Sequence, residues 1–175
     1  PSFCTSNEDV ISSILNFCKR FDLPVLIEST SNQVNQYRGY TKLNPSEFKK
    51  KVKLLAKRNL YPSKKILFGG DHLGPLPWKK MKKNIALKRG QKLVEAYLNS
   101  NFNKLHIDTT IKMRDEKILT KNTIKDRSKE ILNSLQNKKL KHLILVLGSE
   151  VPTAGGSFAA KRNYFDYENE IISEI

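Results

Sequence analysis

Four short runs constrain this chain more than anything else in it: "PVLIEST" (24–30), "KILFGGD" (65–71), "KLHIDTT" (104–110) and "HLILVLGSE" (142–150). Each has the length of a strand and the β-branched or aromatic content that suits one. Between them lie stretches whose apolar residues recur at helical spacing. Strand and helix alternating at this interval make βαβ units, and those build a parallel sheet covered by helices. A clipped additional strand is expected at "PSFCT". No internal repeat or low-complexity linker breaks the series, so residues 1–175 are expected to form a single α/β domain.

The helical stretches carry their own end signals. Ser6 is the expected N-cap of the first, with Glu8 and Asp9 in its first turn and Ile11, Ile14, Leu15 and Cys18 facing inward. The second opens on "NPSEF", where Asn44 caps, Pro45 takes the first helical position and Glu47 completes a capping box. Its inward residues are Phe48, Val52 and Leu55. A third helix is predicted over 81–98, with Ile85, Leu93, Val94 and Tyr97 inward and Gly90 as a weak point. A fourth carries Ile124, Ile131, Leu132 and Leu135.

Parallel α/β folds place their chemistry at the C-terminal ends of the strands. Every polar cluster here falls at such an end: Glu28 before "SNQVNQ", Asp71 with His72, His106 with Asp108, and Glu150. "GGDHLG" is not the dinucleotide fingerprint, and no Walker A sequence is present, so a barrel is the expected layout. Alternate residues of a strand share a face. His106 and Asp108 therefore point away from Leu105 and Ile107, Glu28 sides with Leu26 and Thr30, and Glu150 sides with Gly148 and Val146. The outcome is a ring of three carboxylates with two imidazoles close by. Buried carboxylates are costly unless paired, protonated or bound to metal.

Asp71 and His72 are neighbours, so a regular strand would send them to opposite faces. Gly69 and Gly70 are expected to loosen the backbone there, while Pro75 and Pro77 fix the exit. An irregular end of this kind aims both side chains at one bound group, suited to a divalent metal or a proton transfer. Asn32, Gln33 and Asn35 offer amides to sugar hydroxyls. Gly155 and Gly156, in "GSEVPTAGGS", offer backbone N–H groups to a phosphate. Each feature also has a plain structural explanation as a cap, an ion pair or a polar turn. Four successive strand ends together point to a site.

The net charge of +15 raises the question of nucleic acid. Lysines number 25 against 7 arginines, and they are spread through "FKKKVKLLAKR", "WKKMKKN" and "QNKKLKHL". Specific readers of bases and phosphates lean on arginine. A generally lysine-rich surface is expected rather than a dedicated nucleic-acid face, with no specific nucleic acid as partner, and a phosphorylated ligand suits either. No run reaches the length of a membrane span, and the start lacks the pattern of a signal peptide. The chain is therefore expected to be cytoplasmic, and in that context two isolated cysteines read as free thiols. With two cysteines and three histidines, a structural zinc site is not expected.

"PVLIESTSNQVNQYRGYT", "GGDHLGP", "KLHIDTT" and "GSEVPTAGG", in this order and spacing, resemble the non-catalytic Z subunit of D-tagatose-1,6-bisphosphate aldolase, the GatZ/KbaZ-like family. An older label for that family is tagatose-6-phosphate kinase. The resemblance runs from "SFCTSNEDV" to "VPTAGG". It implies a TIM (β/α)8 barrel like that of class II aldolases, with Asp71 as acid/base and His72 as a zinc ligand, while "HIDTT" looks like the next strand of those aldolases and Glu150 like a carboxylate on the one after. Together with the residue readings above, Glu28, Asn32, Gln33, Asn35, His106, Asp108, Glu150, Gly155 and Gly156 are expected around a phosphorylated ketose. The resemblance also implies a catalytic aldolase subunit as partner, and a supporting role in galactitol and tagatose catabolism.

Family chains are more than twice as long, and a full barrel needs about 250 residues. An incomplete barrel of four to five βα units is therefore expected. Class II aldolases take two further zinc histidines from later strands, so the resemblance implies a divalent metal in the complete barrel and none held by this chain alone. Two other functions remain open at this point. One is a metal-dependent ketohexose or ketohexose-phosphate 4-epimerase. The other is a basic nucleic-acid-binding protein, against which the shortage of arginine argues.

Overall fold

The computed structural model describes residues 1–133, 135 and 143–148. Among them are five strands: β1 (Ser2–Cys4), β2 (Val25–Thr30), β3 (Ile66–Leu73), β4 (Lys104–Ile107) and β5 (Ile144–Leu147). All neighbouring pairs are parallel, and the spatial order is the chain order, β1-β2-β3-β4-β5. Four helices fill the connections: α1 (Glu8–Arg20), α2 (Pro45–Arg58), α3 (Lys83–Asn99) and α4 (Lys121–Asn133). Sequential parallel strands joined through helices are the repeating unit of a (β/α)8 barrel, present here as an incomplete one.

Helix ends follow side-chain chemistry with one correction. The N-cap of α1 is Asn7 rather than Ser6, its carboxamide oxygen accepting from the N–H groups of Asp9 and Val10. At α2 the capping box forms as expected between Asn44 and Glu47, with Pro45 in the first turn. The inward faces of both helices, Ile11, Ile14, Leu15 and Cys18 on one and Phe48, Val52 and Leu55 on the other, are buried.

In α3 the expected inward residue Ile85 is 44% exposed, and Ala86 and Leu87 are buried in its place. Gly90 is a contact point rather than a weak one. A Cβ there would lie 3.1 Å from Pro75 N, so the missing side chain lets α3 approach the turn after β3. In α4, Ile131 is buried beside Arg127 and Ser128, while Ile124 and Leu132 are half-buried.

The sheet has two unlike faces. Val25, Ile27, Ile66, Phe68, Leu105 and Ile107 are buried and belong to the main core with the helix residues. The alternate positions carry Glu28, Thr30, Gly69, Asp71, Lys104 and His106. This second face is open toward the N-terminal ends of the strands, where Leu67 is 43% and Ile144 56% exposed. Strand β5 is the last strand among the described residues, and its run "ILVL" is wholly apolar.

Candidate functional site

The two glycines of "FGGDH" separate two layers of packing, and neither has positive φ. Their role is steric, not the loosening of backbone anticipated from the sequence. A Cβ on Gly69 would meet Glu28 Oε2 at 2.6 Å, and one on Gly70 would meet Leu73 Cδ1 and the Tyr97 ring at 2.6 and 2.7 Å. Gly69 leaves room on the open face for Glu28 and Lys104 to reach each other. Gly70 leaves room on the helix face for Tyr97, whose hydroxyl bonds to Ser29 Oγ at 2.9 Å and donates to Val34 O at 3.0 Å.

Backbone strain lies one step further along. His72 has φ +49°, the left-handed region. Gly70 pairs with Leu105 and Leu73 with Ile107, so three steps on β3 match two on β4. Such a bulge puts two residues opposite one. Asp71 and His72 thus share the position facing His106, which turns two consecutive side chains toward one space. His106 Nδ1 lies 3.0 Å from Asp71 Oδ1, and His72 Nδ1 lies 3.1 Å from Asp71 Oδ2. The imidazole rings meet edge-on with centroids 4.3 Å apart. Hydrogen bonds from His106, and then from His72, hold the Asp71 carboxyl far below the usual range against the opposing effect of burial. Asp71 is therefore a carboxylate at any physiological pH.

The remaining expected site residues separate into groups. Glu28 is buried and paired with Lys104 Nζ at 2.9 and 3.0 Å, and it also accepts from Ser2 Oγ. Asp108 does not join His106. It lies beyond the end of β4, and its carboxylate accepts from the N–H and hydroxyl of Thr110 at 2.8 and 2.6 Å. The alternation that paired it with His106 stops where the strand stops. Asn35 is buried and organises its own loop: Oδ1 accepts from Tyr37 N and Gly39 N, and Nδ2 donates to Ser31 O. Gln33 Oε1 accepts from Thr30 N. Asn32 is exposed, with its carbonyl accepting from Tyr40 N. Glu150, Gly155 and Gly156 lie outside the described residues.

Two residues near the cluster were not anticipated. Lys104 is one, and its signal was available, because period two from His106 reaches it directly. Cys4 is the other. Its residue is exposed overall, yet its thiol faces Asp71. Partial burial of the thiol, then the negative field of Asp71, a hydrogen bond to it and the field of Glu28 push the thiol up to about 12, with Lys104 pulling slightly the other way. Cys4 is thus a neutral thiol rather than a nucleophile at neutral pH.

The donor set of Asp71, His72 and His106 fits a divalent ion, since one ligand atom from each lies within 4.8 Å of the others. Two imidazoles and a carboxylate are ligands that zinc accepts.

The profile of the family described as D-tagatose-1,6-bisphosphate aldolase subunit GatZ/KbaZ-like matches residues 1–168. The chain belongs to this family. A D-tagatose-1,6-bisphosphate aldolase subunit GatZ from Klebsiella pneumoniae subsp. pneumoniae is 34% identical over 160 residues, covering 89% of this chain and 38% of that protein. The subunit of the same name from Escherichia coli O1:K1 is 34% identical over 167 residues, covering 91% and 39%. The chain thus spans under two-fifths of the length of these relatives. Among solved structures, a probable tagatose 6 phosphate kinase from Sinorhizobium meliloti 1021 superposes with a TM-score of 0.82 at 32% identity, covering 99% of this chain and 44% of that one. The GatZ/KbaZ-like membership agrees with the resemblance seen in "SNQVNQ", "GGDHLGP" and "HIDTT". No helix among the described residues is long and apolar enough to cross a membrane.

Proposed function

We propose that this chain is the leading part of a supporting subunit of D-tagatose-1,6-bisphosphate aldolase, acting with a catalytic partner subunit on a phosphorylated ketose. The observation that carries this reading is the alignment of nearly the whole chain with subunits of that name at 34% identity. The structure is compatible with a supporting role in a particular way. The expected ligand-binding amides of Gln33 and Asn35 are engaged in holding their own loop. Glu28 is neutralised by Lys104. At the strand ends the half-buried cluster of Asp71, His72 and His106 supplies the residues to which a divalent metal would bind. A metal held there would supply Lewis-acid polarisation of a ketose oxygen. The chain's own residues would position it and keep a carboxylate beside it.

The test uses tagatose 1,6-bisphosphate cleavage by a catalytic aldolase subunit. It is measured without this chain, with it, and with it fused to the remaining length of the Klebsiella relative. The chain alone is expected to give no cleavage. Its addition to the catalytic subunit, in the fused form at least, is expected to raise activity or lengthen its half-life severalfold. Cleavage by the chain alone, or no effect of either form, would overturn the proposal.

A further inference from the structure

Two of the three histidines in this chain and one aspartate meet at a single bulge. We infer that Asp71, His72 and His106 form a divalent-cation site that this chain holds by itself, suited to zinc or cobalt, with a fourth position open to water or an external ligand. The resemblance to class II aldolases implies otherwise, since it draws two of the metal's histidines from later strands and leaves Asp71 as an acid/base. The inferred site needs no later strand and uses Asp71 as an oxygen donor.

Spacing is the first support. The closest N–O approaches are 3.0 and 3.1 Å, and all three ligand atoms lie within 4.8 Å. Bonds of about 2.0–2.1 Å to zinc set tetrahedral ligands roughly 3.4 Å apart. The two N–O pairs already lie within some tenths of an ångström of that spacing, the widest pair closes by at most about 1.4 Å, and the protons now bridging these atoms leave as the ion enters.

The backbone is the second support. A regular β3 would turn His72 away from Asp71. Only the extra residue between Gly70 and Leu73, with His72 at φ +49°, brings them together. A histidine in the left-handed region is costly, and such residues persist where surrounding structure over-determines them, most often at functional sites.

Charge is the third. Lys104 stands on the same face one turn of the pleat from His106, but its ammonium is held by both oxygens of Glu28. It therefore does not occupy Asp71 in place of an ion. The ring of His106 is accommodated by a missing side chain, since a Cβ on Gly148 would sit 2.7 Å from Nε2.

An ion shared by β3 and β4 would tie the bulge to its neighbour and stabilise the folded chain by mass action. The inference is independent of any catalytic role. It is tested by titrating the metal-free chain with zinc chloride and cobalt chloride, read by calorimetry, by the visible absorption of bound cobalt and by the unfolding midpoint. One equivalent is expected to bind, and the midpoint is expected to rise with zinc. His106→Gln and His72→Gln should each weaken binding by about a hundredfold or more, and His142→Gln should leave it unchanged. His72→Asn, which suits a left-handed backbone, is expected to stay folded by circular dichroism and still lose the ion.

Three results would overturn the site: no binding below millimolar zinc, stoichiometric binding that survives both His72 and His106 substitutions, or loss on His142→Gln. No aldolase assay enters, so the site and the proposed subunit role stand or fall separately.

Discussion

Glu28 and Lys104 bridge across a strand that belongs to neither of them. They sit on β2 and β4, with β3 between, yet Lys104 Nζ is 2.9 Å from Glu28 Oε2 and 3.0 Å from Oε1. The contact exists because the intervening position is Gly69. Its register partners are Glu28 on one side and Lys104 on the other, so any side chain there would stand between the two charges.

That geometry reverses an ordinary substitution. Glycine to alanine within regular structure usually gains about 0.5–1 kcal/mol, because the unfolded chain loses freedom. Here Gly69→Ala is expected to destabilise by about 1–3 kcal/mol, the cost of overpacking a filled space. Gly70→Ala should cost more, because it meets the ring of fully buried Tyr97 rather than the end of a carboxylate side chain. Urea unfolding of the two variants checks both the sign and the order. A gain in stability at either position would refute the steric reading.

A second comparison isolates the backbone of His72. His72→Gly and His72→Ala remove the same imidazole and the same contact with Asp71, so their difference reports only on the φ of +49°. Glycine adopts that region freely, whereas a Cβ there costs roughly 1–2 kcal/mol. The glycine variant is expected to be the more stable by about 1 kcal/mol. In a regular strand the order would be the reverse. Equal melting midpoints, or a more stable alanine variant, would show that the bulge relaxes in solution.

These glycines and this histidine mark where the sequence stopped being legible. The strands and the inward faces of α1 and α2 could be read because periodicity is local: Ile11, Ile14, Leu15 and Cys18 specify one stripe whatever surrounds them. Asp71, His72 and His106 stood out as polar strand ends. Their convergence was anticipated from an irregular strand end, but its cause was not, because it lies in a one-residue slip between β3 and β4 that no spacing within either strand records. Asp108 was misplaced for a related reason. Its alternation with His106 was extended past Ile107, where the backbone leaves the sheet and the carboxylate closes a turn with Thr110. Ser6 and Asn7 are both good caps by residue type, and it is Asn7, next to Glu8, whose side chain accepts from Asp9 N and Val10 N.

Acid should loosen the connection between β4 and α4 first. Arg127 is almost fully buried on α4, and it donates to Thr109 O at 3.3 Å, to Ile111 O at 2.9 Å and to the carboxylate of Glu116. One buried guanidinium thus pins residues 109–116 over the helix. Burial alone would push the Glu116 carboxyl up. The hydrogen bond from Arg127, the N–H of Met113 and the charges of Arg127 and Lys83 outweigh it, so the carboxyl lies below its ordinary value of 4.5. A carboxyl lowered on folding stabilises the folded chain above its unfolded value, and that contribution drains away as pH falls through the folded one. Glu116→Gln is therefore expected to be clearly less stable than the parent at pH 7, and the gap should narrow as pH drops below 4.5. Arg127→Met leaves the carboxylate buried without its partner and should cost more at neutral pH, about 3 kcal/mol or above. Thermal melts of parent and variants from neutral to about pH 3 measure both effects. A gap for Glu116→Gln that stays constant across that range would mean that the ion pair adds nothing to the stability of the fold.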